Sequence, residues 1–157
     1  CIKQQRPLML KFISNAFITG FVLIALVGCG DYLPLSGGAL TGEPVALPVS
    51  WRSVAADEII QLETQGEGPY SVNLWTVLVA DDLHVFAGDN LATWVEHIER
   101  NALVRLQADN FVYALKAERI TDPDHFEQFA QAWAVKYGNR PRNERVEETY
   151  LFRLTGR

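Results

Sequence analysis

The run Tyr70-Ser71-Val72-Asn73-Leu74-Trp75-Thr76-Val77-Leu78-Val79-Ala80 decides the fold. It is rich in β-branched and aromatic residues and holds neither glycine nor proline, which is the composition of a strand. Alternate positions form two sets, Tyr70, Val72, Leu74, Thr76 and Leu78 against Asn73, Trp75, Val77 and Val79. Both sets are largely apolar, so the run predicts a central strand covered on both faces. Asn73 is the exception, because an amide in such a strand must find a partner, either a backbone group or a ligand.

Working outward, Gln65-Gly66-Glu67-Gly68-Pro69 is a turn, and Glu58–Thr64 before it is a second strand. On the other side, Asp81-Asp82 turns the chain into Leu83-His84-Val85-Phe86. Asp109-Asn110 likewise joins Leu103–Ala108 to Phe111–Ile120, because Asp and Asn tolerate the positive φ of tight hairpins. Thr149–Leu154 closes the set. One helix is expected over Leu91–Asn101, capped by Asp89 or Asn90, with Leu91, Trp94, Val95 and Ile98 on one face. The other has clearer punctuation: Asp122 as N-cap, Pro123 in the first turn, Gly138 past the end, and an apolar stripe of Phe126, Phe129, Ala130, Trp133 and Tyr137. About six strands and two helices in this order predict an α+β, mainly β domain over residues 50–157, a small antiparallel barrel closed by helices.

The first part of the chain reads differently. Phe12 to Val27 carries no charge and is mostly apolar; Lys11 precedes it and Gly28-Cys29 follows it. Cation, apolar stretch and small residue is the order of an export signal, here Met9 to Gly28 with cleavage after Gly28. Residues 1–8 read as an extension upstream of a Met9 start. The stretch is short for a membrane span and is interrupted by Asn15 and Gly20. Leu26-Val27-Gly28-Cys29 resembles the lipobox of bacterial lipoproteins, which implies lipid attachment at Cys29. Residues 29–49, rich in Gly, Pro and Leu, then form a lipidated N-terminus and tether. The expected location is the cell envelope, with the domain on the periplasmic or outer side. Because Gly30 rather than an aspartate follows Cys29, the outer membrane is favoured over the inner where both exist.

Three of the 14 basic side chains (Lys3, Arg6 and Lys11) and none of the 19 acidic ones precede Asp31, so the chain from Cys29 onward carries a formal net charge of −8. That charge repels phosphate backbones and argues against a nucleic-acid partner. Arg140, Arg142 and Arg145 cluster in what reads as a solvated loop. With Cys29 acylated and Cys1 upstream, no thiol remains for a disulfide. His84, His97 and His125 are not spaced as a metal motif, and no nucleophile motif surrounds Ser53 or Ser71. No metal site and no catalytic residue is expected on these grounds, and no cofactor is predicted. Trp75 and Trp94 are ligand-pocket candidates that core packing would explain equally, with Asn73 as a polar contact. Glu96 and Arg100, four apart, make a surface pair.

Glu63 to Leu154 resembles the FMN-binding split-barrel superfamily, in the pyridoxamine-phosphate oxidase-like and deazaflavin-dependent nitroreductase-like groups, closest to an uncharacterised branch. The resemblance rests on Val72–Val77, Leu83–Gly88, Trp94 in a helix ending at Asn101, Val104-Arg105-Leu106, Lys136-Tyr137-Gly138 and Tyr150–Leu154. It implies FMN or a deazaflavin as cofactor, a homodimer with pockets between subunits, and an oxidoreductase with Trp75, Trp94 and Arg105 lining the site. In cofactor-using relatives the turn after the first strand carries Arg or Lys that holds the cofactor phosphate. Here Thr64–Pro69 has no cation and one carboxylate, Glu67, so the role would pass to Arg105 if the fold brings it round. The signal also lacks a twin arginine, so the chain would cross the membrane unfolded and acquire any flavin outside. The reading taken forward is therefore an anchored, non-catalytic or ligand-binding domain, with the flavin enzyme as its rival.

Overall fold

The computed structural model describes residues 37–88 and 92–157. Its strands are β1 (Glu43–Val45), β2 (Ile59–Gln65), β3 (Pro69–Val79), β4 (Asp82–Ala87), β5 (Leu103–Ala108), β6 (Phe111–Ile120) and β7 (Tyr150–Gly156). Its helices are α1 (Arg52–Ala56), α2 (Thr93–Arg100) and α3 (Pro123–Tyr137). The export signal, Cys29 and the first part of the expected tether lie outside the described residues, as do Asp89, Asn90 and Leu91. No helix among the described residues is long and apolar enough to cross a membrane.

Six antiparallel strands close on themselves in the order β2-β3-β4-β7-β6-β5, with β2 meeting β5 again. The barrel and its α+β class are as the alternation predicts. Long strands change partners partway, which lets so few strands curl shut. Residues 69–75 of β3 pair with β2, and Thr76–Val79 pair with β4. On β6, Leu115–Ile120 pair with β7, while Phe111–Tyr113 take β1 on that same edge in parallel register. The turns form as expected, with positive φ at Asp109 (52°) and at Ala80 (53°), one residue ahead of the predicted aspartate pair.

The barrel interior is apolar: Ile60, Leu62, Leu83, Val85, Leu106, Leu115, Phe152 and Leu154 are all buried. α2 closes this core with Trp94, Val95 and Ile98. A second apolar layer lies outside, where Phe126, Phe129, Ala130 and Trp133 of α3 cover Val77, Val79 and Leu151. β3 is thus covered on both faces only along its second half, and Trp75 remains 51% exposed.

Three expectations need correction. α2 begins at Thr93 with Ala92 as N-cap and no capping side chain, a turn shorter than the periodic pattern suggested. A third helix, α1, lies ahead of β2, too short for any periodicity to show. The C-terminal part of the expected tether is not free chain. Leu40 is buried, Gly37 N donates to Ser71 O (2.9 Å) and Oγ (3.0 Å), and β1 lies on β6. By contrast α3 is punctuated as predicted: the Asp122 carboxylate accepts from His125 N at 2.7 Å, and Gly138 ends the helix at φ 77°.

Candidate functional site

The candidate site is a cleft of about 410 Å³ where β3, the end of β4 and α3 meet the loop after α3. That is ample room for a small ligand. Trp75, Phe86 and Trp133 form its floor and wall, and Asn139, Arg140, Pro141, Arg142 and Asn143 form its rim. Trp75 and Phe86 project outward from β3 and β4 because alternate residues of those strands fill the barrel. Trp133 comes from the apolar stripe of α3.

These rings are ordered by packing. Trp75 stacks on Tyr137, with centroids 5.1 Å apart and planes at 21°, and leans on Trp133 at 5.6 Å. Phe86 meets Trp133 edge-on at 5.9 Å. Tyr137 is itself held, its hydroxyl donating to Thr76 O (2.8 Å) and accepting from Thr76 N (3.2 Å). Burial pushes its pKa up to about 12, so it stays a neutral phenol. Lys136 converges on the same carbonyl, donating to Thr76 O and Ala55 O, both at 2.8 Å, and to Asp57 O. Its pKa is lowered by burial, with Asp57 and Glu58 opposing the shift. Lys136-Tyr137-Gly138 is therefore a structural clamp: it ties α3 to β3 and to the segment after α1.

The two rim arginines differ. Arg140 donates to Glu144 and Glu127, including 2.7 Å from Nη2 to Glu127 Oε2, and these carboxylates raise its pKa and answer its charge. Arg142 is exposed and no carboxylate among the described residues pairs with it. Among the described residues, those lining the cleft include no His, Cys, Asp or Glu. What this surface can do is stack a flat ring and offer one guanidinium to an anion.

The sequence candidates do not converge. Trp75 lines the cleft. Trp94 is 5% exposed and packs edge-on against Phe152 in the barrel core, so packing accounts for it. Asn73 sits on β3 opposite Gln61 of β2, away from the cleft. Arg105 does not reach the Thr64–Pro69 turn. Its Nε donates to Glu63 Oε1 at 2.8 Å and its Nη2 to Oε2. Glu63 is fully buried and also accepts from Leu40 N (2.8 Å) and Gln65 Nε2 (2.9 Å). Burial alone would raise the Glu63 pKa, but these donors together hold it below the ordinary value. The cation beside the turn is Arg100 of α2. With His97, Glu67 and Tyr70 it borders an open hollow, and it pairs with Glu96 at 3.0 Å. A Cβ at Gly66 would lie 2.4 Å from His97 Nε2, so a side chain there would force the imidazole to shift.

Sequence reasoning missed one constellation. His84 and His125, 41 residues apart, meet Nε2 to Nε2 at 2.8 Å. His84 is 1% exposed, and its Nδ1 is 3.0 Å from Asp82 O. Burial lowers its pKa from 6.5 to about 4. Only β4's outward parity, shared by His84 and Phe86, could have hinted that His84 faces α3. No group of three or more potential metal ligands occurs among the described residues.

No protein-family model and no curated protein matches the chain. Solved structures do. A NimC/NimA family protein from Clostridium acetobutylicum has a TM-score of 0.55 at 12% identity, over 66% of this chain and 76% of that one. A conserved hypothetical protein from Mycobacterium tuberculosis has a TM-score of 0.54 at 14% identity, over 74% and 86%. A candidate pyridoxamine 5'-phosphate oxidase from Listeria innocua has a TM-score of 0.51 at 13% identity, over 66% and 90%. At such identities the likeness is one of architecture, and it agrees with the closed six-stranded barrel described above: this chain has the split-barrel fold.

Proposed function

We propose that this protein is a lipid-anchored component of the cell envelope whose split-barrel domain binds a small, flat aromatic ligand bearing an anionic group, without transforming it. The observation that carries the binding reading is Trp75, half-exposed yet stacked on Tyr137 and backed by Trp133. A tryptophan left open to solvent forgoes hydrophobic stabilisation, so a pre-ordered ring at the mouth of a cleft is a platform for another ring. Arg142 supplies the charge complement on the rim. Among the described residues the lining has no general acid or base, which favours binding over turnover. The anchor rests on Leu26-Val27-Gly28-Cys29 after the apolar run.

The fold likeness to a candidate pyridoxamine 5'-phosphate oxidase favours a second reading, a flavin-dependent oxidoreductase. Under it the isoalloxazine would stack on Trp75 and the phosphate would meet Arg142. Detergent-solubilised full-length protein separates the two. Quenching of tryptophan fluorescence by FMN without turnover when a reduced nicotinamide is added supports the binding reading. Catalytic oxidation of that nicotinamide supports the enzyme, and no quenching by FMN or other aromatic anions rejects the cleft. The anchor is tested apart: Cys29→Ser should abolish detergent-phase partitioning and the added lipid mass, and unchanged partitioning would reject it.

A further inference from the structure

The histidine pair lies outside the cleft, on the far side of the aromatic layer that builds it. His84 Nδ1–H donates to Asp82 O, so the ring's Nε2 is an acceptor, and His125 must donate its own Nε2–H to it. The rings lie 5.0 Å apart, and Phe129 packs on His84 at 6.5 Å. Phe129 also touches Phe86 at 5.2 Å and Trp133 at 5.5 Å, the two residues beside Trp75 in the cleft. A continuous stack of rings thus joins the pair to the proposed ligand platform.

We propose that the His84–His125 hydrogen bond is an acid-sensitive latch that holds the start of α3 on β4 and keeps the aromatic wall of the cleft in place. A proton added at His125 Nδ1 leaves the Nε2–H donor where it is, so the bond survives it. A further proton has only His84 Nε2 to go to. It would set two N–H groups face to face at 2.8 Å and place a cation in an enclosed site. The charges around the pair do not offset this. On β7, Arg153 is the register partner of His84 and opposes a second cation beside it. Glu118 of β6 is taken up by Arg153 at 2.7 Å, and Asp82 of β4 lies 4.0 Å from the same guanidinium. On α3, Asp122 accepts from the His125 backbone as N-cap, and Asp124 is exposed in the first turn. The doubly protonated pair is relieved when the start of α3 moves away and His84 meets water. Because the folded pKa of His84 is about 4 against 6.5, the latch is complete above the higher value and is lost as pH falls toward the lower one.

The ligand consequence, release in acid, rests on the cleft reading above; the latch itself does not. The test follows tryptophan fluorescence and near-UV dichroism of the ligand-free full-length protein as pH falls from about 7.5 to about 3.5. The wild type should lose the tryptophan signal between 6.5 and about 4, with the steepness of a single proton taken up at His84. His125→Gln should move the transition down by about one pH unit or more, because a glutamine amide donates to neutral His84 and, once flipped, accepts from charged His84. His97→Gln should leave it in place. A coincident transition in His125→Gln, an equal shift in His97→Gln, or no tryptophan change by about pH 4 would each overturn the latch. If His125→Gln does not fold, nitrogen-15 histidine spectra of the wild type decide. The latch requires the Nδ1–H tautomer at His84 and Nε2–H at His125, and any other assignment rejects it. Failure of FMN to bind at any pH rejects the cleft reading alone.

Discussion

At the scale of single residues, exposure separates binding roles from packing roles. About half of Trp75 is buried against Tyr137 and Trp133, so Trp75→Ala should cost about 1–2 kcal/mol in urea denaturation, less than the loss of a fully buried tryptophan. The same variant should weaken binding of an aromatic anion about tenfold in a fluorescence titration, the value of one stacking contact. Arg105 behaves differently. Its loss strands the buried Glu63 carboxylate with two weaker donors, Leu40 N and Gln65 Nε2. Arg105→Met should therefore cost about 3 kcal/mol in urea denaturation, near the lower end for a broken buried pair because Arg105 is a third exposed. Neither fate could be read from the sequence. Both tryptophans sit in apolar periodic segments, and which one faces solvent depends on where α3 docks. Likewise Glu63 and Arg105 are 42 positions apart and become neighbours only through the β2–β5 register.

At the scale of elements, legibility followed the strength of local signals. The six barrel strands showed themselves by alternation and by turn residues that accept positive φ, and α3 by a cap, a proline and a glycine at the right offsets. Asp122→Ala should cost about 1 kcal/mol, measured as a lower midpoint for helix loss by far-UV dichroism. β1 and α1 carried no such marks. Three residues in parallel register and one helical turn are stabilised by what they rest on rather than by their own propensity. The cleft was partly legible for the same reason. Trp75 and Trp133 were visible as large aromatics, whereas the rim around Arg142 depends on how the loop after α3 folds back.

For the whole molecule, two buried ionisable groups set successive acid limits. His84 has a folded pKa of about 4, below its unfolded 6.5, so it binds fewer protons when folded than when unfolded. Its neutral burial supports folding above 6.5, and that support fades as pH falls toward 4. Stability at about pH 4 should be lower than at about pH 7 by about 3 kcal/mol from this residue, read from urea midpoints at the two values. Glu63 acts in a lower window. Its folded pKa is depressed, so its contribution stands above 4.5 and is lost as pH falls further. A second acid transition below the first would report it.

β1 has one more consequence, for what the molecule does in company. At the start of β6 the edge beyond Phe111–Tyr113 is free of β7 and is covered by Glu43–Val45. Phe111 is 42% exposed there. An uncovered edge with an aromatic on it is a template for a neighbouring chain. Fragments beginning at residue 50 should therefore associate with increasing concentration in sedimentation runs, while the chain that retains β1 does not. A stretch with the composition of a spacer thus serves as the barrel's guard against its own kind.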